Sequence, residues 1–92
     1  MDQDTEFYAV LAQDLTRTIR RVPQPYRRNL QTWLSQRLDT PVTETNAPDQ
    51  LATWLRQFSY AEALDHFVTL RLVADGAVQA FGLPHPETRH GG

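Results

Sequence analysis

The chain has 92 residues, of which 40% are hydrophobic and 22% are charged, and its formal net charge at pH 7 is −2. A chain of this length fits one domain, and this share of apolar residues is typical of a packed globule, which excludes a fully disordered segment. Cysteine is absent, which excludes disulfide bonds, thiolate zinc sites and cysteine nucleophiles. All nine basic residues are arginines.

The N-terminal segment predicts an amphipathic helix that ends before Pro23. Acidic residues crowd its start and arginines crowd its end, an arrangement that suits the helix dipole at both termini. Apolar residues recur at the three- and four-residue spacing of one helical face: Phe7, Tyr8, Leu11, Leu15, Ile19 and Val22.

A second helix is predicted after the break at Pro23 and Pro25, because proline removes a backbone donor but suits the first position of a helix. Apolar residues continue at helical spacing from Tyr26 to Leu38. The linker is short, so we expect the first two helices to pack as an antiparallel hairpin.

Residues 39–46 predict a surface connection, since threonine, proline, aspartate and asparagine dominate this stretch. A short third helix is predicted from about Pro48 to Phe58. Ser59 and Glu62 then have the spacing of a capping box, in which the serine and the glutamate each satisfy a free backbone amide. A fourth helix should therefore begin at about Tyr60.

Residues 60–82 allow two interpretations. As one helix ending before Gly82, the segment places a broad set of apolar side chains, Leu64 and Val68 among them, on one face. Against this, residues 68–72 alternate between apolar and polar, and Asp75-Gly76 is a strong signal for a hairpin turn. Helix is the favoured interpretation.

The predicted fold is therefore an all-α, small four-helix bundle. The alternative is an α+β fold with three to four helices and a C-terminal β-hairpin at Asp75-Gly76. We expect residues 1–83 to form a single helical domain. Residues 84–92, which contain two prolines and two glycines, should form a flexible tail.

Charge is distributed unevenly: six arginines and no acid lie between Leu15 and Leu38, whereas the rest of the chain holds all eleven acids. Four of these arginines flank the proline turn and should gather at one end of the bundle. They could pair with acids of the same chain, with an acidic protein surface or with nucleic acid. The predicted partner-binding residues are Arg20, Arg21, Tyr26, Arg27, Arg28, Trp33 and Arg37.

Three further charged side chains fall on otherwise apolar stripes. Arg71 and Asp75 have the spacing of a helical salt bridge, and Arg37 lies on the second helix. Each should pair internally, lie at a rim or face a second subunit, because burying an unpaired charge is costly.

The sequence offers little for catalysis. Glu62 and His66 could supply two ligands on one helical face, but two ligands do not make a metal site, and no glycine-rich phosphate loop is present. We therefore expect neither an enzyme nor a bound cofactor, and predict no metal ligands. A small metal-dependent enzyme remains the least favoured alternative.

The function predicted from the sequence is a non-catalytic helical module for protein interaction or regulation. Its apolar residues exceed what four short helices should bury, and leftover apolar area suits an interface, most simply in a homodimer. The alternative is a small nucleic-acid-associated regulator that uses the arginine cluster. We expect a cytoplasmic protein with no membrane segment, because the first residues are acidic and no apolar run is long enough to span a bilayer.

Overall fold

The structure, a computed structural model, describes residues 2–82. These residues form four α-helices: α1 (Asp2–Ile19), α2 (Tyr26–Leu38), α3 (Ala47–Leu55) and α4 (Tyr60–Phe81). No strand occurs within this range, so the all-α prediction is confirmed and the alternative hairpin at Asp75-Gly76 is wrong. The predicted tail, residues 84–92, lies outside the described residues.

The core is built from the apolar stripe of each helix. Leu15 of α1, Leu34 of α2, and Leu51 and Leu55 of α3 are all fully buried. Tertiary packing of such stripes, more than helix propensity, stabilises short helices. Further buried side chains complete the cluster: Tyr8, Leu11, Ala12, Ile19, Val22, Leu30, Leu38, Val42, Ala47, Ala63, Leu70 and Ala74.

α1 packs mainly on α3 and α4. It runs antiparallel to α3, because Pro48 at the start of α3 lies beside Arg20 near the end of α1, while the Tyr8 hydroxyl donates to the carbonyl of Phe58, 2.6 Å away. It runs parallel to α4. Contacts near the starts of the two helices join Phe7 to Tyr60, and later ones join Asp14 to Arg71.

The predicted close hairpin of α1 and α2 is wrong, since α2 lies against α4. The linker explains the difference, because Val22 has no exposed surface and is itself a core residue. A linker that enters the core cannot act as a tight surface turn. The chain instead leaves α1 through backbone hydrogen bonds from Arg21 to Thr18 and from Val22 to Ile19.

The predicted start of α4 is confirmed. The Ser59 hydroxyl accepts a hydrogen bond from the Glu62 amide at 3.3 Å, and the Glu62 carboxylate accepts one from the Ser59 amide at 3.3 Å. This reciprocal pair is the capping box expected from the sequence. The predicted end is also confirmed, because α4 ends at Phe81 and Gly82 has an extended backbone with φ −74°.

The connection between α2 and α3 is held by its own hydrogen bonds. Ser35 links it to α2, because its hydroxyl donates to the Gln31 carbonyl and accepts from the Val42 amide, both at 2.9 Å. Val42 is buried beneath the connection. Near α3, the Asn46 side chain accepts from the Thr43 amide at 2.7 Å. These bonds fix the position of Glu44, which lies between the two anchor points.

Gly76 gives a test of the helical assignment. It lies inside α4, and a Cβ built on it would meet no atom within 4 Å. Glycine in a helix interior costs about 0.5–1 kcal/mol relative to alanine. We predict that Gly76→Ala raises the free energy of unfolding by about 0.5–1 kcal/mol, measured by urea denaturation at low micromolar protein concentration.

The matched control is Gly82→Ala. A Cβ at Gly82 would lie 2.5 Å from the carbonyl oxygen of Val78, so the backbone must shift and the variant should be less stable than the wild type. Equal shifts of the two variants in the same direction would contradict the described environments of these glycines.

Candidate functional site

The arginine cluster predicted from the sequence contains an internal ion pair. Glu44, in the connection between α2 and α3, is the centre of this arrangement. Its carboxylate accepts hydrogen bonds from Arg27 Nη1 at 2.6 Å and from Gln31 Nε2 at 2.7 Å. Arg20 Nη2 donates to the Glu44 carbonyl oxygen at 3.4 Å. Arg20 and Arg27 therefore attach the connection to the adjoining ends of α1 and α2.

Arg27 also holds the proline linker. Its Nε donates to the Val22 carbonyl at 2.8 Å, so one guanidinium connects the linker, α2 and Glu44. Arg21 and Arg28 are exposed. The Arg28 guanidinium has no hydrogen-bond partner among residues 2–82, although its backbone amide donates to the Gln24 side chain. Arg20 and Arg27 of the four-arginine cluster thus have a structural role.

The hydrogen bond from Gln31, reinforced by the charges of Arg27 and Arg20, holds the pKa of the Glu44 carboxyl below its ordinary value of 4.5. Partial desolvation opposes this shift without cancelling it. Glu44 is half-exposed, so solvent screening limits the contribution of the ion pair to stability.

The other predicted partner-binding residues make contacts with aromatic rings. Tyr26 stacks on Phe81 of α4, with ring centroids 3.9 Å apart and planes within 6° of parallel. Trp33 is half-buried, and the guanidinium carbon of Arg37 lies 5.5 Å from its ring centroid, a cation–π contact. Of the seven predicted residues, Arg20 and Arg27 thus bind Glu44, Tyr26 stacks on Phe81, and Trp33 pairs with Arg37.

A different surface carries the largest group of exposed apolar side chains. Tyr60, Leu64, Val68 and Leu72 follow one another at four-residue spacing along α4, and their exposed fractions are 48%, 43%, 50% and 67%. Residues at this spacing form a continuous ridge on a helix. We call these four residues the α4 ridge.

The sequence interpretation assigned part of the α4 ridge to the core. Leu64 and Val68 belonged to the apolar face that was predicted for this helix. The structure corrects this assignment, because α1 and α2 cover the side of α4 that carries Ala63, Leu70 and Ala74. The four-residue spacing was visible in the sequence, but it could not show which side of a broad apolar face is covered.

α1 extends the exposed apolar surface beside the start of the α4 ridge. The Phe7 ring lies 4.7 Å from the Tyr60 ring, between centroids, and Val10 on the same helix is 59% exposed. Phe7 and Val10 line a shallow depression of α1. The exposed apolar area is therefore contiguous across two helices, which is typical of interaction surfaces.

An ion-pair network borders the α4 ridge on the side of α1. Arg71 Nε donates to both carboxylate oxygens of Asp75 at 3.1 Å, which confirms the predicted helical salt bridge. Arg71 Nη1 also donates to Asp14 of α1. The hydrogen bond to Asp75 and the nearby negative charge raise the pKa of Arg71 above its ordinary value.

Glu62 and His66, the residues considered for a metal site, make contacts within the protein. Glu62 belongs to the capping box. The His66 ring lies 4.3 Å from the Phe58 ring and 4.9 Å from the Trp54 ring, between centroids, so it packs on an aromatic cluster and does not face solvent fully. Within the part of the chain that the structure describes, no three side chains of metal-ligating type lie together.

Comparison of the chain with protein-family models, with curated proteins and with solved structures finds no match. Among residues 2–82, no helix has both the length and the apolar character that a membrane span requires. The function must therefore be argued from the surfaces just described.

The Glu44 ion pair predicts that the free energy of unfolding depends on pH. A carboxyl whose pKa is lowered in the folded state adds stability above its unfolded pKa, and this stability is lost as the pH falls through the folded pKa. We predict that the wild type is more stable than Glu44→Gln at neutral pH and that the difference shrinks as the pH falls below 4.5. Urea denaturation across this pH range measures the effect.

Asp65→Asn is the matched control, because the Asp65 side chain has no hydrogen bond or ion pair with the described residues. Its stability relative to the wild type should change less with pH. A difference between the wild type and Glu44→Gln that is constant with pH would argue against the ion pair.

Proposed function

We propose that this chain is a non-catalytic protein-interaction module that binds through the α4 ridge. The observation that carries the proposal is the four-residue row of exposed apolar side chains on α4, contiguous with Val10 of α1. Its binding partner would be either another protein or a second copy of the chain. The cysteine-free sequence suits a reducing compartment, and we place the module in the cytoplasm.

The chemistry of the α4 ridge supports this proposal. Leucine, valine and tyrosine at the surface remain in contact with water in the monomer, and burying them in an interface recovers roughly 25 cal/mol for each Å² of apolar area. Scattered apolar residues are ordinary on protein surfaces, whereas a contiguous row is typical of binding sites. Tyrosine at one end adds a side chain that often anchors interfaces.

The arginines support the interaction surface less strongly than the sequence suggested. Arg20 and Arg27 already bind Glu44, so recruiting them to a ligand would break bonds that order the connection. Arg37 lies on Trp33, and the polar groups around this pair could form part of an interface rim. We therefore base the proposal on the α4 ridge.

Leu72→Glu is the decisive variant for the proposed surface. Leu72 is 67% exposed, so the substitution should leave the fold intact while placing a charge on the apolar α4 ridge. We expect association to weaken by at least about tenfold, since burying a charge in an apolar contact costs more than about 1 kcal/mol. Light scattering after size exclusion detects self-association, and affinity capture from a lysate of the source cells detects other partners.

Val73→Glu is the matched control. Val73 is the next residue of α4, is 39% exposed and lies off the α4 ridge. It should associate as the wild type does, and thermal unfolding followed by circular dichroism checks that both variants fold. A strictly monomeric wild type that captures no protein in a Leu72-dependent way would refute the proposal.

A further inference from the structure

The residues along the α4 ridge, together with Gly76, form a series that is complementary in size when it is reversed. The ridge runs Tyr60, Leu64, Val68, Leu72, and Gly76 follows at the same four-residue spacing. If this series is reversed about Val68, Leu64 falls opposite Leu72 and the large Tyr60 falls opposite Gly76, the residue without a side chain. The series is therefore complementary to its own reverse.

The described residues of a single chain do not account for Gly76. It lies inside a 22-residue helix, where glycine is unfavourable relative to alanine, and a Cβ at this position would meet no atom within 4 Å. A glycine in a helix interior often marks the close approach of another group, because its missing side chain leaves room. The described chain places no such group there.

We infer that the α4 ridge binds the α4 ridge of a second copy of this chain, in an antiparallel arrangement whose two-fold axis passes beside Val68. In this dimer Val68 meets its own copy, Leu64 packs on the partner copy of Leu72, and Tyr60 covers the glycine. This inference rests on the proposed function and names the occupant of the same surface.

Helix geometry permits this contact. Ridges formed by residues four apart pack into the matching grooves of a second helix, which is the commonest class of helix packing in globular proteins. The stretch from Tyr60 to Gly76 is about 24 Å long at 1.5 Å per residue, and helices packed in this way approach each other most closely beside the two-fold axis. A two-fold axis requires a surface to complement itself, and the α4 ridge does so.

The apolar area is sufficient for the core of such an interface. Large side chains present roughly 150–250 Å² each when fully exposed, so the α4 ridge and Val10 together leave on the order of 400–500 Å² uncovered. A standard interface takes about 800 Å² from each partner, and roughly half of it is apolar. Polar side chains of α4 beside the ridge would supply the remainder as a rim.

The charges near the α4 ridge are compatible with self-association. No ridge residue is charged, so a second copy brings no like charge into the centre of the contact. Arg71, at the border, is already bound to Asp14 and Asp75. These side chains are each about one-third exposed and carry charges of both signs, which also limits repulsion between copies at the rim.

Single-cysteine variants of the full chain test the arrangement, because the natural sequence contains no cysteine. Val68→Cys places a thiol beside the proposed two-fold axis, where it meets its copy within reach of a disulfide. Val73→Cys is the control on the same helix. Under mild oxidation we expect Val68→Cys to form a covalent dimer at least about tenfold faster than Val73→Cys.

Gly76→Gln provides an independent readout. Glutamine is a good helix former, so the monomer should unfold at the same temperature or a higher one, whereas its side chain collides with the partner copy of Tyr60. Sedimentation equilibrium should show the dimer dissociation constant rising by at least about tenfold. Gln36→Ala, which alters an exposed residue of α2 and leaves α4 unchanged, should leave this constant unchanged.

The oligomeric state of the wild type also tests the inference. A wild type that stays monomeric at all concentrations up to about millimolar would overturn the dimer, since its binding free energy would then be weaker than about 4 kcal/mol. Equal cross-linking of the two cysteine variants would overturn the arrangement. If the wild type is monomeric but captures another protein in a Leu72-dependent way, the proposed function stands and a second copy is not the occupant.

Discussion

The burial of the α1 apolar stripe between α3 and α4 is the contact on which the rest of the structure depends. Leu15 and Ala12 have almost no exposed surface, and the buried stripe runs from Tyr8 to Ile19. Because α1 fills one side of α4, the apolar residues on the neighbouring side remain exposed among residues 2–82. The α4 ridge is therefore a consequence of how α1 packs, since a small domain has few elements with which to cover every apolar face.

Electrostatics in this chain serve mainly to hold irregular segments in place. Glu44 accepts hydrogen bonds from Arg20, Arg27 and Gln31. These bonds attach the connection between α2 and α3 to residues on both sides of the proline linker. Arg71 of α4 binds Asp14 of α1 and so links these two helices. Exposed pairs of this kind contribute little free energy individually, but they fix the relative positions of elements. Charged residues that lie far apart in the sequence thus form ion pairs in the folded chain.

An exposed apolar ridge would allow an interface to form without any change in the fold. Such a surface can also promote non-specific association. The complementary sizes of the residues on either side of Val68 would make the antiparallel arrangement better packed than others. Gly76 would contribute to this selectivity at some cost in helix stability. Specificity in such a contact comes from shape, because no ridge residue carries charge.

The sequence by itself determined the features that depend on near neighbours in the chain. The four helices, the Ser59–Glu62 capping box and the Arg71–Asp75 pair were all predicted, because each depends on residues three or four apart or on prolines at helix ends. Only the tertiary structure decided that α1 packs on α3 and α4, that Glu44 reaches Arg27, and that Leu64 and Val68 are exposed. Helical periodicity shows which residues share a face, but the face that becomes buried depends on the long-range arrangement of the other helices.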